Sequence, residues 1–449
     1  MSSRFAWRSR RIVTPDGVVD GWVVLSAGRI ETVASELAVP PSDSEDLGDL
    51  AVLPGVIDPH VHLNEPGRAH WEGFRTGTLA AAAGGITTLA DMPLNSSPVT
   101  TTVEALEAKR SAAAGQCAIN VLFHGGLVPQ NLDAIEPLID AGVVGIKAFL
   151  CPSGIDEFPA VGEAELRPAM EILARRDVPL LAHAEIVDGG EADDQPVPSP
   201  NADSYATWLA SRPDRFETAA HELLIRLVGR TGCRVHIVHL ATADALPALR
   251  EARARGLPLS VETCPHYLTF AAEELPDGDA SFKCAPPIRR ALHREALWAA
   301  LGRGDVDFIA TDHSPAPPSR KSGDLMSAWG GISSLQVALS VAWTGACRRG
   351  YGLEDLARWT SQQPARLLGL DGRKGVVAPG FDADLVIFDP EAEWTVVGAE
   401  LQHRHPQTAY DGMSVRGRVL RTYVGGQKVW PRDASSDGRF DRLDPCKTD

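Results

Sequence analysis

The chain has few cysteines and lacks any long hydrophobic run. Its 7 cysteines among 449 residues are scattered and never form a C-x-x-C pair, which argues against a disulfide framework and against a thiolate zinc site. No apolar run approaches the length of a membrane span. The opening residues, MSSRFAWRSRRIV, contain arginines but no apolar core of signal-peptide length. These absences predict a cytoplasmic protein that does not associate with membranes.

The chain also lacks any cluster of basic residues. Its formal net charge is −16 and its pI is about 5.3, so nucleic acids and acidic membrane surfaces are poor candidate partners. No G-x-G-x-x-G follows a predicted strand, which argues against a doubly wound dinucleotide-binding sheet.

Strand and helix patterns alternate over residues 51–375. Helix-period segments separate most of the strands, and two of them, FETAAHELLIRLVGR and ADALPALREARARG, close on Gly. This order predicts an α/β fold with a closed (β/α)8 TIM-like barrel, and a doubly wound open sheet is the alternative. The eight strand candidates are LPGVIDPHVH, ITTLAD, AINVLFH, VVGIKAFL, VPLLAH, RVHIVH, PLSVETC and VDFIATD.

Short strands and turns occupy both ends of the chain. Residues 1–50 include GWVVLSAGRIETVAS, and residues 376–437 include GFDADLVIFDP and VRGRVLRTYVGGQKVW. The two regions share a pattern of short strands and turns, so we expect a single small β domain assembled from both ends. The tail over residues 438–449 is polar and is predicted to be loosely ordered.

Lysine is scarce, and one lysine lies in an apolar strand. Only 7 of the 43 basic residues are lysine, and Lys147 interrupts the run VVGIKAFL. A buried ammonium is costly to desolvate. In a chain that nearly always uses arginine, this position suggests an amine that can lose its proton and react. The alternative is a lysine that reaches the barrel rim or pairs with a carboxylate.

Other polar residues fall at the carboxyl ends of the predicted strands, where a barrel places its active site. His60 and His62 are two residues apart and therefore share one face of the first strand. His236 precedes His239 but lies on the other face, so we expect it to pack. The candidate ligands of two metal ions are His60, His62, Lys147, His183, His239 and Asp312.

Two metal ions need more negative charge than four neutral imidazoles and one carboxylate provide. A neutral lysine amine can add carbon dioxide to give a carbamate with one oxygen for each metal ion, whereas a guanidinium cannot. We therefore expect N6-carboxylysine at Lys147. Paired metal ions acidify bound water, and Asp312 is placed to pass its proton to a leaving nitrogen.

Several long motifs resemble the cyclic amidohydrolases, over roughly residues 50–390. They are DPHVHLNEPGRAHWEGFRTGTLAAAAGGITTLADMPLNSSP, GIKAFLCPSG, KCAPPIR, TDHSP and AWGGISSLQ. The resemblance implies a barrel with a β-sandwich-like small domain. It also implies two metal ions bridged by a carboxylated lysine at Lys147, usually Zn, although the ligands also suit Co, Mn, Fe or Ni. Relatives commonly form homo-oligomers, and a homotetramer is the favoured assembly.

Within this family the resemblance is strongest to the allantoinase branch, which implies ring opening of allantoin to allantoate in purine nitrogen catabolism. Dihydroorotase-like sequences carry an arginine that grips the substrate carboxylate where this chain has Asn64. Dihydropyrimidinase-like sequences carry a tyrosine in the loop that here reads CPSGIDEF. A small, neutral, amide-rich ring such as allantoin suits these departures.

The predicted substrate contacts are Asn95, Ser153 and Ser314. Asn95 and Ser153 could equally cap or turn their own loops. Two other functions stay open. One is a hydantoinase or dihydropyrimidinase, and the other is a non-catalytic scaffold, a class that typically loses metal ligands.

Overall fold

A computed structural model describes residues 4–187 and 201–432. Its first strands are β1 (Phe5–Thr14), β2 (Gly17–Ser26), β3 (Arg29–Ala34), β4 (Ser44–Asp46) and β5 (Ala51–Pro54). The next are β6 (Val56–Val61), β7 (Ile86–Asp91), β8 (Asn120–Phe123), β9 (Gly125–Gly126), β10 (Ile146–Phe149), β11 (Leu180–His183), β12 (Val235–Ile237), β13 (Leu259–Thr263) and β14 (Phe308–Ile309). The last are β15 (Leu385–Thr395), β16 (Ser414–Val424) and β17 (Gln427–Trp430).

Helices follow most of the central strands. They are α1 (Phe74–Ala83), α2 (Val103–Ala113), α3 (Ile135–Asp140), α4 (Glu163–Arg176), α5 (Tyr205–Ser211), α6 (Asp214–Thr231), α7 (Leu246–Ala254), α8 (Pro265–Thr269), α9 (Ala291–Arg303), α10 (Ala338–Cys347), α11 (Leu353–Ala357) and α12 (Gln363–Leu367). Within the ranges that the structure describes, no helix is both long and apolar enough to cross a membrane.

The central strands form the predicted parallel barrel. Strands β6 to β8 pair in order, as do β9 to β14. The Val144 amide donates to the Phe123 carbonyl at 3.0 Å, and a parallel bridge between Val61 and His313 closes the ring. Strands β6 and β7 are buried along their whole length, as expected of parallel strands covered by helices. The α/β barrel prediction is confirmed.

The helices of the barrel begin and end where local chemistry permits. The Thr102 side chain caps α2 by accepting from the Ala105 amide at 3.3 Å. Helix α6 ends at Gly232, whose φ of 69° places it in the left-handed region that favours glycine. Helix α6 matches the predicted segment FETAAHELLIRLVGR.

Both ends of the chain build one sheet, in the order β17-β16-β15-β5-β1-β2-β3, with β4 also paired to β1. The hairpin β2–β3 lies against the segment just before β15. The Ile30 amide donates to the Phe381 carbonyl at 2.8 Å, and the Ala383 amide donates to the Gly28 carbonyl at 2.9 Å. A separate hydrophobic core that includes Trp7 lies within this sheet. The predicted tail over residues 438–449 lies outside the described residues.

The boundary between the barrel and the terminal sheet differs from the predicted one at residue 51. Strand β5 pairs with β1 and β15, so residues 51–54 belong to the sheet. The segment LPGVIDPHVH, read as one strand, is split at Gly55. A side chain there would meet the Thr87 side chain at 2.2 Å, so only glycine fits this approach. The sequence pattern does not reveal this split, because apolar residues continue on both sides of Gly55.

A buried ion pair joins the second barrel strand to helix α2. Lys109 Nζ donates to Asp91 Oδ2 at 2.6 Å and to the Met92 carbonyl at 2.7 Å, with both side chains fully buried. Asp91 Oδ1 also accepts from the Leu63 amide at 2.7 Å. Because Leu63 follows His62, this pair fixes the chain directly after the first predicted metal ligands.

Replacing Lys109 with Met leaves a buried, uncompensated carboxylate at Asp91. We therefore expect the free energy of unfolding to fall by about 3–5 kcal/mol, measured by urea denaturation with metal present. The Lys109→Met/Asp91→Asn double variant removes both charges and keeps an acceptor for Leu63, so it should regain most of the loss. A double variant no more stable than the single variant would contradict this account.

Candidate metal centre

The six predicted ligands line one cavity of about 330 Å³ at the carboxyl ends of the barrel strands. His60 lies in β6 and His62 directly follows that strand. Lys147 lies in β10 and His183 ends β11. The remaining two, His239 and Asp312, follow β12 and β14 within three residues. Parallel strands bring these ends to one face of a barrel, which is why residues distant in the sequence meet here.

One half of the site consists of His60, His62 and Asp312. Asp312 Oδ1 lies 3.3 Å from His60 Nε2 and 3.6 Å from His62 Nε2. The candidate ligand atoms of these three residues lie within 4.8 Å of one another. Imidazole nitrogen and carboxylate oxygen are suitable ligands for a divalent transition metal.

The other half consists of His183 and His239, which lie beside the first. Their ring centroids are 4.6 Å apart, and the His239 ring is 5.4 Å from that of His60. Burial lowers the pKa of His183 to about 4, and burial together with the neighbouring His183 and Lys147 lowers the pKa of His239 well below its ordinary value. These imidazoles are therefore neutral at pH 7, as metal ligands must be.

Lys147 lines the same cavity and is fully buried, and its Nζ has no hydrogen-bond partner among the described residues. This Nζ lies 5.0 Å from the centroid of the Phe149 ring. Burial lowers the pKa of this amine to about 8. A buried polar group without a partner is costly, and conversion of the amine to a metal-bound carbamate would remove that cost.

Asp312 is held as an anion in a strained backbone conformation. Burial alone would raise the pKa of this carboxyl group, but His60 and His62 keep it below its ordinary value. Asp312 and His239 have φ angles of 44° and 41°, in the left-handed region that side chains seldom adopt. Such strain persists only where surrounding contacts impose it, and it is common at functional sites.

Sequence reasoning missed Glu262, a fully buried carboxylate in β13. Its Oε1 lies 2.5 Å from His60 Nδ1 and its Oε2 lies 2.9 Å from His236 Nε2. A carboxylate that accepts from Nδ1–H leaves Nε2 free for a metal. The signal was weaker than for Lys147, because the strand of Glu262, LSVET, also contains Ser260 and Thr263. His236 packs against Phe308 as expected, and it also anchors this carboxylate.

The three predicted substrate contacts, Asn95, Ser153 and Ser314, also line the cavity. The Ser153 hydroxyl donates to the Phe158 carbonyl at 2.6 Å, so it turns its own loop, the second role that the sequence left open. Asn95 Oδ1 is buried without a partner among the described residues, and the other end of its amide lies 3.5 Å from His62 Nδ1. Rotation of this amide would let Oδ1 accept an Nδ1 proton and free His62 Nε2 for a metal.

Comparison with known proteins settles the family. The chain matches the amidohydrolase family over residues 51–429. It belongs to the amidohydrolase family. It is 47% identical to an allantoinase from Streptomyces avermitilis over 96% of each chain. It is 45% identical to an allantoinase from Arabidopsis thaliana, over 94% of this chain and 87% of that one.

The solved structures give the same family. The structure of the L-hydantoinase (dihydropyrimidinase) from Arthrobacter aurescens matches with a TM-score of 0.89 at 29% identity, over 95% of this chain and 96% of that one. Membership of the amidohydrolase family implies a divalent metal site, and the donor set described above fits one.

Replacing Glu262 with Gln removes the anionic acceptor of His60 Nδ1–H. We expect the affinity for divalent metal to fall by about 10–100-fold, since partners that orient a metal-binding imidazole typically contribute that much. Metal content after dialysis against buffers of defined free zinc measures the change. Unchanged zinc affinity would show that Glu262 does not orient His60.

Proposed function

We propose that this protein hydrolyses the ring amide of allantoin to give allantoate. The observation that carries the proposal is the buried, unpartnered amine of Lys147 among four imidazoles and one carboxylate. The proposed ligands of two divalent metal ions are His60, His62, His183, His239, Asp312 and carboxylated Lys147. Zinc is the favoured ion, with Co, Mn, Fe or Ni as alternatives.

Charge balance supports carboxylation of Lys147. Neutral imidazoles add no negative charge, so Asp312 alone would balance only a small part of the positive charge of two divalent cations. Carbon dioxide adds to the neutral amine, which loses a proton, and the resulting carbamate brings one further negative charge and two oxygens. Bound metal ions supply polarisation of the ring carbonyl and acidification of water at neutral pH.

Asp312 is the proposed proton carrier. Hydrolysis adds water to a ring carbonyl carbon, breaks the carbon–nitrogen bond and leaves a carboxylate. Asp312 accepts a proton from the water and delivers it to the departing ring nitrogen. Its carboxylate stays ionised because His60 and His62 lie beside it, so it is available as a base before the reaction. Its strained backbone fixes its direction into the cavity.

The lining of the cavity includes neutral polar groups that suit a neutral ring, and its cations Arg212 and Lys283 already donate to Glu185 and to the Ala328 carbonyl. Asn64 stands at the position where dihydroorotase-like sequences carry arginine, and its amide donates to the Pro315 carbonyl at 3.4 Å. Asn95 and Ser314 offer neutral polar groups to a ring amide or a ureido group, and Ser153 lines the same wall. The names of the relatives that are 45–47% identical support allantoin in particular.

Two alternatives are weaker. A hydantoinase or dihydropyrimidinase would fit the structural likeness, but the identity there is 29%, against 47% for an allantoinase. A non-catalytic scaffold would not need a complete ligand set, whereas all six positions are filled and converge on one cavity. A homotetramer and a cytoplasmic location remain predictions from the sequence.

Replacing Lys147 with Ala removes the proposed bridge between the metal ions. We expect at least one metal ion per chain to be lost and kcat for allantoin to fall by about a thousand-fold or more, because metal-ion catalysis supplies several kcal/mol and each 1.4 kcal/mol is tenfold. Elemental analysis and an allantoate assay measure the two effects.

Lys147→Arg is the matched control, since arginine keeps the positive charge and most of the length but cannot form a carbamate. It should fail as Lys147→Ala does. Near-normal metal content and turnover in either variant would refute the bridging role of Lys147.

A substrate panel separates the proposed function from its nearest rival. We expect kcat/KM for allantoin to exceed that for hydantoin, dihydrouracil and dihydroorotate by at least about tenfold, because Asn64 replaces the arginine of dihydroorotase-like sequences and the loop CPSGIDEF lacks a tyrosine. Steady-state assays of all four compounds with the metal-loaded enzyme give the comparison. A preference for hydantoin or dihydrouracil would favour the rival.

A further inference from the structure

We propose that a buried ionic network positions His183 and His239 and thereby sets the affinity of one metal ion separately from that of the other. This support network consists of Glu185, Arg212, Glu217 and Arg289. The proposal rests on the two-metal centre of the proposed function and adds positioning residues that lie behind two of its ligands.

Glu185 fixes the ring of His183. Its Oε2 lies 2.7 Å from His183 Nε2, so an Nε2 proton donated there leaves Nδ1 as the nitrogen free for a metal. Arg212 donates to both oxygens of Glu185, with its Nε 3.0 Å from Oε1. Glu185 is thus held in place by hydrogen-bond donors at both of its oxygens.

Glu217 fixes the chain that carries His239. Its Oε2 accepts from the amides of Ala241 and Thr242 at 3.1 and 3.2 Å. These amides follow His239 by two and three residues, directly after its left-handed backbone. Burial raises the pKa of Glu217 and the Arg289 guanidinium opposes that rise. The contact with Arg289 is close, at 2.7 Å between Nη2 and Oε1.

The two pairs are joined into one unit. Arg289 Nη1 donates to the Arg212 carbonyl at 2.5 Å. Arg212 lies two residues before helix α6, which begins at Asp214, and Glu217 lies in the first turn of that helix. A shift of this helix start would therefore move both His183 and the chain after His239 away from a shared metal ion.

The half of the site formed by His60, His62 and Asp312 is held by different residues. Glu262 and His236 hold His60. Asp58 Oδ1 accepts from the His60 and Thr311 amides, each at 3.2 Å. Glu262 also contacts the chain that carries His239, since its carboxylate accepts from the His239 amide at 3.3 Å and its carbonyl accepts from the Leu240 amide at 2.8 Å. The side chains that orient the His183 ring are thus separate from those that orient the His60 ring, and the two halves meet at Glu262.

Replacing Glu185 with Gln should weaken the binding of one metal ion and leave the binding of the other unchanged. With wild-type chain holding two zinc ions, we expect the variant to hold about one at the same free zinc concentration. Its second site should fill only at about 10–100-fold higher free zinc. Elemental analysis across buffers of defined free zinc gives the stoichiometry, and thermal unfolding of the metal-free forms shows whether the fold is intact.

Glu163→Gln is the matched control. Glu163 is a partly exposed carboxylate that also pairs with arginines of α6, Arg226 and Arg230, each at 3.2 Å, but lies outside the cavity. It should bind two zinc ions as the wild type does. If unpaired Arg212 prevents Glu185→Gln from folding, the Glu185→Gln/Arg212→Met variant removes both charges and should show the same loss of one ion.

Three outcomes would overturn the proposal. A folded Glu185 variant that binds both ions with wild-type affinity would show that the support network does not position His183. Parallel loss of both ions would show that the two sites are not braced separately. A wild-type chain that binds fewer than two ions would overturn the two-metal centre itself, and that failure is visible before any variant is compared.

Discussion

The structure of the site depends on how buried charge is balanced at the barrel mouth. Four imidazoles, an aspartate and a lysine converge there with almost no solvent contact. The buried carboxylates of Glu185 and Glu262 each have a cationic or imidazole partner. The amine of Lys147 has no such partner among the described residues. Under the proposed function, carboxylation of this amine and binding of metal ions would supply one.

Residues that do not line the cavity orient several of the proposed ligands. Carboxylates fix the free nitrogen of two of the four rings by accepting from the other nitrogen, as Glu262 does for His60 and Glu185 does for His183. Backbone amides near Asp312 and His239 are fixed by Asp58 and Glu217. Such preorganisation places the ligands before a cation arrives, so less ordering is needed on binding.

The terminal sheet also contributes to the barrel mouth. The segment between β15 and β16 reaches the barrel, where the Arg404 amide donates to Glu72 at 3.1 Å. Glu72 lies 3.4 Å from the ring of His313, the residue directly after Asp312. The domain built from the chain ends therefore braces the loop that carries the proposed proton carrier, which couples the small domain to the site.

The barrel, the terminal β region and the placement of the proposed ligands at strand ends could be predicted from the sequence. Those features are local, because strand period, turn residues and an isolated charge in an apolar run are visible in short segments. The split at Gly55, which depends on contact with Thr87, and the hydrogen-bond partners of the proposed ligands could be seen only in the folded chain. Glu262 lies 202 residues from His60 along the chain, and a hydrogen bond over that separation exists only once the barrel has closed.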